Sequence, residues 1–164
     1  MWSRRGFAAL AVVAALLAAC GPAKSSSGVP AAAYAAALVP FLPAPPDADE
    51  NLVVVYVAPL GEAPLALDAQ VAVIDALAAR VDVRFVDSFD VVIDDRVDGA
   101  PPRDDAILLA IGMIPAEPPH TVRVEEYTDA VRTAAHLVTV IERSDEWTVQ
   151  RVTDVDPEVL VGDG

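Results

Sequence analysis

The chain has 164 residues, of which 54% are apolar and only 5% aromatic, so aliphatic side chains must build most of its core. Acidic residues outnumber Lys and Arg by 25 to 11, which gives a net charge of −14. Because nucleic-acid binding needs a basic surface, this balance argues against nucleic acid as a partner. A single cysteine excludes an intrachain disulfide and a zinc site built on paired thiolates. The length allows one compact domain.

The first 19 residues have the layout of a secretory signal peptide. Arg4 and Arg5 form a short positive segment, and an uncharged apolar run of 13 residues follows from Phe7 to Ala19. This run is shorter than the ~20 residues that a transmembrane helix needs. It has the length and the flanks of the hydrophobic region of an export signal, so residues 1–19 are predicted to be a signal peptide.

The end of this segment, Leu17-Ala18-Ala19-Cys20-Gly21, resembles the lipobox of bacterial lipoproteins. In that family an aliphatic residue and two small residues precede a cysteine whose thiol receives a diacylglycerol, and a signal peptidase cuts before that cysteine. The resemblance covers residues 1–21 and implies lipidation at Cys20, with acyl chains such as palmitate as a membrane anchor. The alternative is an ordinary secretory signal, which leaves an awkward free thiol in an oxidising compartment.

The resemblance implies a location in the bacterial cell envelope. In a cell with two membranes, Gly21 after the cysteine resembles lipoproteins of the outer membrane, and the domain then faces the periplasm. In other cells the expected place is the outer face of the cell membrane. Without residues 1–19 the chain has 9 basic and 25 acidic residues, a net charge of −16. Anionic headgroups repel such a domain, so we expect the lipid alone to hold it at the membrane.

Residues 20–50 are rich in Ala, Pro and Ser and are predicted to form a tether. Six of the 14 prolines lie here, and proline favours an extended, semi-rigid backbone. The stretch Ala31–Leu38 has high helix propensity, but it is shorter than the ~12 residues that an isolated helix needs. Two outcomes stay open for it, disorder or docking on the domain through Tyr34 and Leu38.

Residues 51–154 carry the periodic pattern of a folded domain, and residues 155–164 are predicted to be a flexible tail. The β-branched run Leu52–Ala58 predicts a central strand with both faces covered. Apolar side chains then recur at helical spacing, and they predict the buried face of an amphipathic helix that ends near Arg80. The side chains of this face are Leu67, Val71, Ile74 and Leu77 or Ala78. Asp68 is the expected N-cap of the helix.

Six further segments are predicted to be strands from their β-branched or alternating pattern. They are Val81–Phe85, Asp90–Ile93, Ala106–Ile114, Thr121–Tyr127, Arg132–Arg143 and Trp147–Val152. The last four are joined by short connections, which favours an antiparallel meander. The predicted fold class is α+β, a mostly antiparallel β-sheet with a C-terminal meander and one packed α-helix.

No catalytic, cofactor-binding or metal-ligating residue can be assigned from a motif. Ser88 and Ser144 are the serines of the domain, and neither lies in a Gly-x-Ser-x-Gly elbow. His120 and His136 lack the spacing of metal ligands, and we expect both to be ordinary sheet histidines. A constellation of Ser88, His136 and an aspartate is compatible with the sequence, but nothing in the pattern favours it.

The acidic stretch Asp94–Asp105 has part of the spacing of an EF-hand calcium loop. Arg96 occupies the third position, where an oxygen ligand belongs, and two adjacent prolines stiffen the second half. We therefore expect a solvated turn built on Asp98-Gly99.

The leading hypothesis is a lipid-anchored, non-enzymatic binding or scaffolding module that has an envelope protein as its partner. Two alternatives remain, a small hydrolase that uses His136 with neighbouring carboxylates, and weak calcium binding at Asp94–Asp105. A deep pocket that gathers His136 and two carboxylates would favour the enzyme. An exposed apolar patch would favour the binding module.

Overall fold

The computed structural model describes residues 29–48, 50–61, 63–93, 101–128 and 131–155. In these ranges two helices are present, α1 (Ala31–Leu38) and α2 (Leu67–Leu77). The strands are β1 (Val54–Pro59), β2 (Asp82–Phe85), β3 (Ile107–Ile111), β4 (His120–Thr128), β5 (Val131–Arg143) and β6 (Glu146–Asp154). They form one mixed sheet in the order β2-β1-β3-β4-β5-β6. The α+β class and the mostly antiparallel sheet are confirmed, but two helices are present where one was predicted.

The first three strands are parallel. β1 lies between β2 and β3 and pairs in parallel with both. The connection from β1 to β2 contains α2, whereas the described parts of the connection from β2 to β3 contain two short 3₁₀ turns, Phe89–Val91 and Arg103–Asp105. The strand predicted at Asp90–Ile93 is therefore wrong. The Ser88 hydroxyl accepts a hydrogen bond from the Asp90 N–H (3.3 Å), which favours a turn over an extended backbone.

The last four strands form the predicted antiparallel meander. β3 pairs with β4, β4 with β5, and β5 with β6, all antiparallel. Ser144 and Asp145 connect β5 to β6, and both have positive φ, 52° and 65°. Positive φ at both central residues is typical of a tight two-residue hairpin turn, whose twist matches that of the flanking strands.

Both helices pack on one face of the sheet, here called the helical face. Because successive strand residues point to opposite faces, Val55 and Val57 of β1 lie on the helical face, and Tyr56 lies on the opposite face. The main core cluster joins these valines to Val124 and Val138 of the meander and to both helices. A smaller cluster on the opposite face joins Tyr56 to the connection between β2 and β3.

The predicted buried face of α2 is confirmed only in part, because Leu77 is buried and Ile74 packs against the core, but Leu67 and Val71 do not. The buried residues of α2 are Ala69, Val73 and Leu77, while Leu67 is 75% and Val71 49% exposed. The sequence contains two apolar stripes at four-residue spacing, and the buried stripe begins with Leu65, which lies just before the helix. The small side chain of Ala69 lets α2 lie close to the core, whereas the larger Leu67 and Val71 of the predicted stripe would hold the helix away from it.

The predicted N-cap of α2 is also wrong. Ala66 occupies the N-cap position and makes no side-chain hydrogen bond. Asp68 lies in the first turn, where its Oδ1 accepts the N–H of Ala69 (2.9 Å). A carboxylate in this position still interacts favourably with the positive end of the helix dipole.

α1 docks on the domain, so the choice between disorder and docking is resolved for residues 31–38. Tyr34 and Leu38 are fully buried, and α1 contacts α2, β5 and β6. The Tyr34 hydroxyl accepts a hydrogen bond from the N–H of Ile114 (3.0 Å). Packing on the domain explains why an eight-residue helix forms at all. The buried part of the described chain therefore begins at Val29, within the range 20–50 that was predicted to be a tether.

Candidate functional site

His136, the centre of the hydrolase alternative, lies between two carboxylates on the helical face. The register of β4, β5 and β6 places Glu126 and Asp154 on either side of its ring. The His136 Nε2 lies 2.8 Å from Glu126 Oε1, and its Nδ1 lies 2.9 Å from Asp154 Oδ1. The ring of Phe41 packs against the imidazole with 4.8 Å between the ring centres. The side chain is 13% exposed.

This geometry favours a structural role for His136. A general base needs a ring nitrogen that can take a proton from a substrate or a water, and here each nitrogen already has a carboxylate partner. Phe41 covers part of the ring. Ser88 belongs to the connection that packs on the opposite face, so the structure does not bring it to His136.

The remaining residues singled out by sequence have local structural partners. The His120 Nδ1 lies 2.9 Å from the carbonyl oxygen of Pro115, and its ring meets the ring of Trp147 edge-on at 5.1 Å. Ser144 lies in the turn between β5 and β6. These contacts hold the end of the meander in place. They do not bring His120 or Ser144 together with groups that could act in catalysis or bind a metal.

The calcium alternative falls mostly outside the described residues, because positions 94–100 are not among them. At its far end, Asp104 Oδ2 accepts hydrogen bonds from Arg84 Nη1 (3.0 Å) and from the Tyr56 hydroxyl (3.2 Å). Within the part of the chain that the structure describes, no group of three or more His, Cys, Asp or Glu is placed to hold a metal ion. No helix of that part is long and apolar enough to cross a bilayer.

A buried carboxylate on the opposite face was missed by the sequence analysis. Glu125 is 2% exposed and accepts hydrogen bonds from Arg123, from Arg132 Nη1 (3.2 Å) and from the Tyr127 hydroxyl (2.6 Å). Burial, followed by the hydrogen bond to Glu125 and the charge of that carboxylate, raises the pKa of Tyr127 to about 12. The alternation of Arg123, Glu125 and Tyr127 along β4 was the available signal.

The outward face of α2 carries an exposed apolar patch, here called the α2 patch. It is a shallow surface lined by Leu67, Asp68, Val71, Ala72 and Asp75. The patch was also missed by the sequence analysis, because Leu67 and Val71 were assigned to the buried face.

A crevice opens at the carboxyl ends of β1, β2 and β3, and it is here called the edge crevice. It encloses a volume of about 40 Å³. Its lining residues are Ala58, Pro59, Ala63, Pro64, Leu65, Gln70, Phe85, Val86, Asp87, Ile111 and Met113.

No family model, curated protein or solved structure matches this chain. Function therefore has to be inferred from the geometry of four candidate features, which are the surroundings of His136, the surroundings of Glu125, the α2 patch and the edge crevice. The polar groups of Glu125 and His136 are engaged by neighbouring side chains. The α2 patch and the edge crevice instead present surface that is open to a binding partner.

Proposed function

We propose that this protein is a non-enzymatic lipoprotein of the bacterial cell envelope, anchored by lipid on Cys20, whose domain binds another envelope protein. The lipobox-like sequence Leu17-Ala18-Ala19-Cys20-Gly21 supports the anchor. The α2 patch supports the binding role, and it is the observation on which that role depends.

The large apolar side chains of the α2 patch are not needed for the core. α2 is held to the domain by Ala69, Val73 and Leu77, and Leu67 remains 75% exposed. Leaving apolar surface in water costs about 25 cal/mol per Å² relative to burying it. Exposed apolar patches with a polar rim are typical of protein interaction sites. The patch therefore supports binding of a partner that covers Leu67 and Val71.

Charge indicates what this partner offers. Asp68 and Asp75 flank the apolar side chains, and the processed chain has a net charge of −16. An anionic membrane surface is repelled by such a rim. A complementary partner is a protein segment that presents apolar side chains flanked by Lys or Arg, because complementary charge steers association and fixes its register. This is the occupant that we propose.

Site-directed photo-crosslinking of the full chain in its native envelope tests the binding role. A photoreactive residue at position 71 should give one dominant protein adduct, whose crosslinked segment contains apolar residues flanked by Lys or Arg. Leu67→Ser should reduce its yield about tenfold, since burial of a leucine contributes ~1.5–3 kcal/mol. Val131→Ser is the matched control, because Val131 is 66% exposed and lies far along the sheet on β5.

Three outcomes would contradict the binding role. They are no adduct at position 71, an adduct to phospholipid or to a second copy of this chain, and equal losses of adduct in Leu67→Ser and Val131→Ser. The anchor is tested separately by Cys20→Ser, which should shift the protein from the membrane fraction to the soluble or unprocessed fraction. Membrane partitioning of a Cys20→Ser chain that has lost residues 1–19 would overturn the anchor and leave the binding role to be judged by crosslinking.

A further inference from the structure

The side of β5 and β6 that faces away from the helices is left uncovered by the described residues. The apolar cluster on that side of the sheet extends to Tyr127 of β4 and includes no residue of β5 or β6. On the helical face, by contrast, α1 contacts both strands. The uncovered side of the two strands is here called the open face. Strand register and alternation place on it Leu137, Thr139, Ile141, Arg143, Thr148 and Arg151.

The open face and the part of the meander beside it are positively charged, although the chain as a whole is acidic. Four arginines of the described strands β4, β5 and β6 lie on this side of the sheet, and the register gives them only two glutamates there. The arginines are Arg123, Arg132, Arg143 and Arg151, and the glutamates are Glu125 and Glu146.

Two of these arginines have guanidinium groups that are available to a partner. Glu125 is buried and is bonded to Arg123 and Arg132. Among the described residues, no hydrogen bond or ion pair engages the exposed side chains of Arg143 and Arg151. Because a guanidinium group has five donors and no acceptor, these two side chains suit a carboxylate partner.

Aliphatic side chains lie between the arginines of the open face. Leu137 is 41% exposed and pairs with Arg123, while Ile141 is partly exposed and lies two residues from Arg143 on the same strand. Alternate residues of a strand are ~6–7 Å apart, and paired residues of neighbouring strands are ~5 Å apart. A single segment can therefore cover the aliphatic groups and meet the charges beside them. A simple polyanion offers charge alone, so this mixture favours a protein segment.

We propose that the open face binds a protein segment in which aliphatic side chains are flanked by Asp or Glu. The carboxylates would pair with Arg143 and Arg151, and the aliphatic groups would cover Leu137 and Ile141. The partner proposed for the α2 patch has the opposite charge, and α2 packs on the other side of the sheet, so the two proposals are independent. Two binding surfaces of opposite charge suit a domain that connects two different proteins.

Methyl NMR of the full lipidated chain, in nanodiscs of uncharged lipid, tests the proposal with a blocked hexapeptide in which two leucines lie between two pairs of glutamates. The methyl signals of Leu137 and Ile141 should shift saturably, with a dissociation constant of about 1 mM, as is usual for a short peptide. The methyl signals of Leu67 and Val71 should not shift. Because the chain as a whole repels this peptide, saturable shifts report on the local surface. Peptides with lysine in place of glutamate, or serine in place of leucine, should not bind.

Arg151→Glu should weaken binding of the hexapeptide about tenfold, because a repulsion replaces an attraction. Arg103→Glu is the matched control, since it makes the same change of charge at an exposed position in the connection between β2 and β3. We expect the control to change the affinity less than about twofold, because a distant exposed charge is screened by salt. Both positions are exposed, so the two substitutions leave the fold intact.

Four results would overturn the proposal. They are the absence of saturable shifts at Leu137 and Ile141, shifts at Leu67 and Val71 instead, equal binding of the lysine peptide or of inorganic polyphosphate, and equal losses of affinity in Arg103→Glu and Arg151→Glu. Equal binding of polyphosphate would show a general anion-binding surface, and equal losses in the two variants would show that net charge alone decides the affinity.

Discussion

At the scale of single residues, two polar side chains of the meander have hydrogen-bond partners on neighbouring strands. His136 on β5 bonds Glu126 on β4 and Asp154 on β6. Glu125 on β4 bonds Arg132 on β5 as well as groups of its own strand. Because sequence alone does not give the register between strands, the alternation along β4 could be predicted but these cross-strand partners could not. For the same reason, the sequence could not predict that Glu126 and Asp154 flank His136.

The first prediction concerns Tyr127, whose pKa is raised to about 12 in the folded protein, mainly by burial and then by its bond to Glu125. In the unfolded chain the tyrosine pKa is about 10. The folded state therefore favours the protonated phenol, and this stabilisation is complete below about pH 10 and is lost as pH rises towards about 12. Unfolding free energies measured across this interval should fall more steeply for the wild type than for Tyr127→Phe. Parallel curves for the two proteins would contradict the prediction.

At the scale of secondary-structure elements, prediction was accurate where the pattern is local. The alternation within 121–127 and 132–143 predicted β4 and β5, because one face of each strand is buried and the other is largely polar. The orientation of α2 was predicted only in part, because both Leu67-Val71 and Ala69-Val73 have helical spacing, and only the packing partners distinguish them. α1 remained undecided for the same reason. Whether α1 forms depends on its packing against a surface that distant parts of the chain build.

The second prediction concerns the close packing of α1, which presents Ala33 and Ala37 to the core with no exposed surface. Ala33→Leu adds three carbons to a filled site and should lower the free energy of unfolding by ~1–3 kcal/mol. Ala32→Leu places the same side chain on the exposed side of the same helix and should change stability by less than ~0.5 kcal/mol. Urea unfolding monitored by tryptophan fluorescence measures both variants. Equal effects of the two substitutions would show that α1 is not packed as described.

At the scale of the whole molecule, the parallel and antiparallel halves of the sheet have different roles. The parallel strands β1, β2 and β3 bring their carboxyl ends together at the edge crevice, and the connection from β1 to β2 carries the α2 patch. The meander presents Val122, Val124 and Val138 on the helical face, where α1 packs. α1 and the residues that follow it are therefore part of the folded domain, although their composition is that of a tether.

The third prediction follows from this arrangement and compares a chain that begins at Val29 with one that begins at Pro43. The shorter chain lacks the buried side chains of Tyr34, Leu38 and Leu42. At ~1.5–3 kcal/mol for each large buried side chain, the loss is on the order of 5 kcal/mol or more, which is comparable to the total stability of a typical domain. The longer chain should unfold cooperatively, and the shorter one should bind a hydrophobic dye and lack a cooperative transition. Equal melting temperatures for the two chains would show that the sheet and α2 are stable without α1.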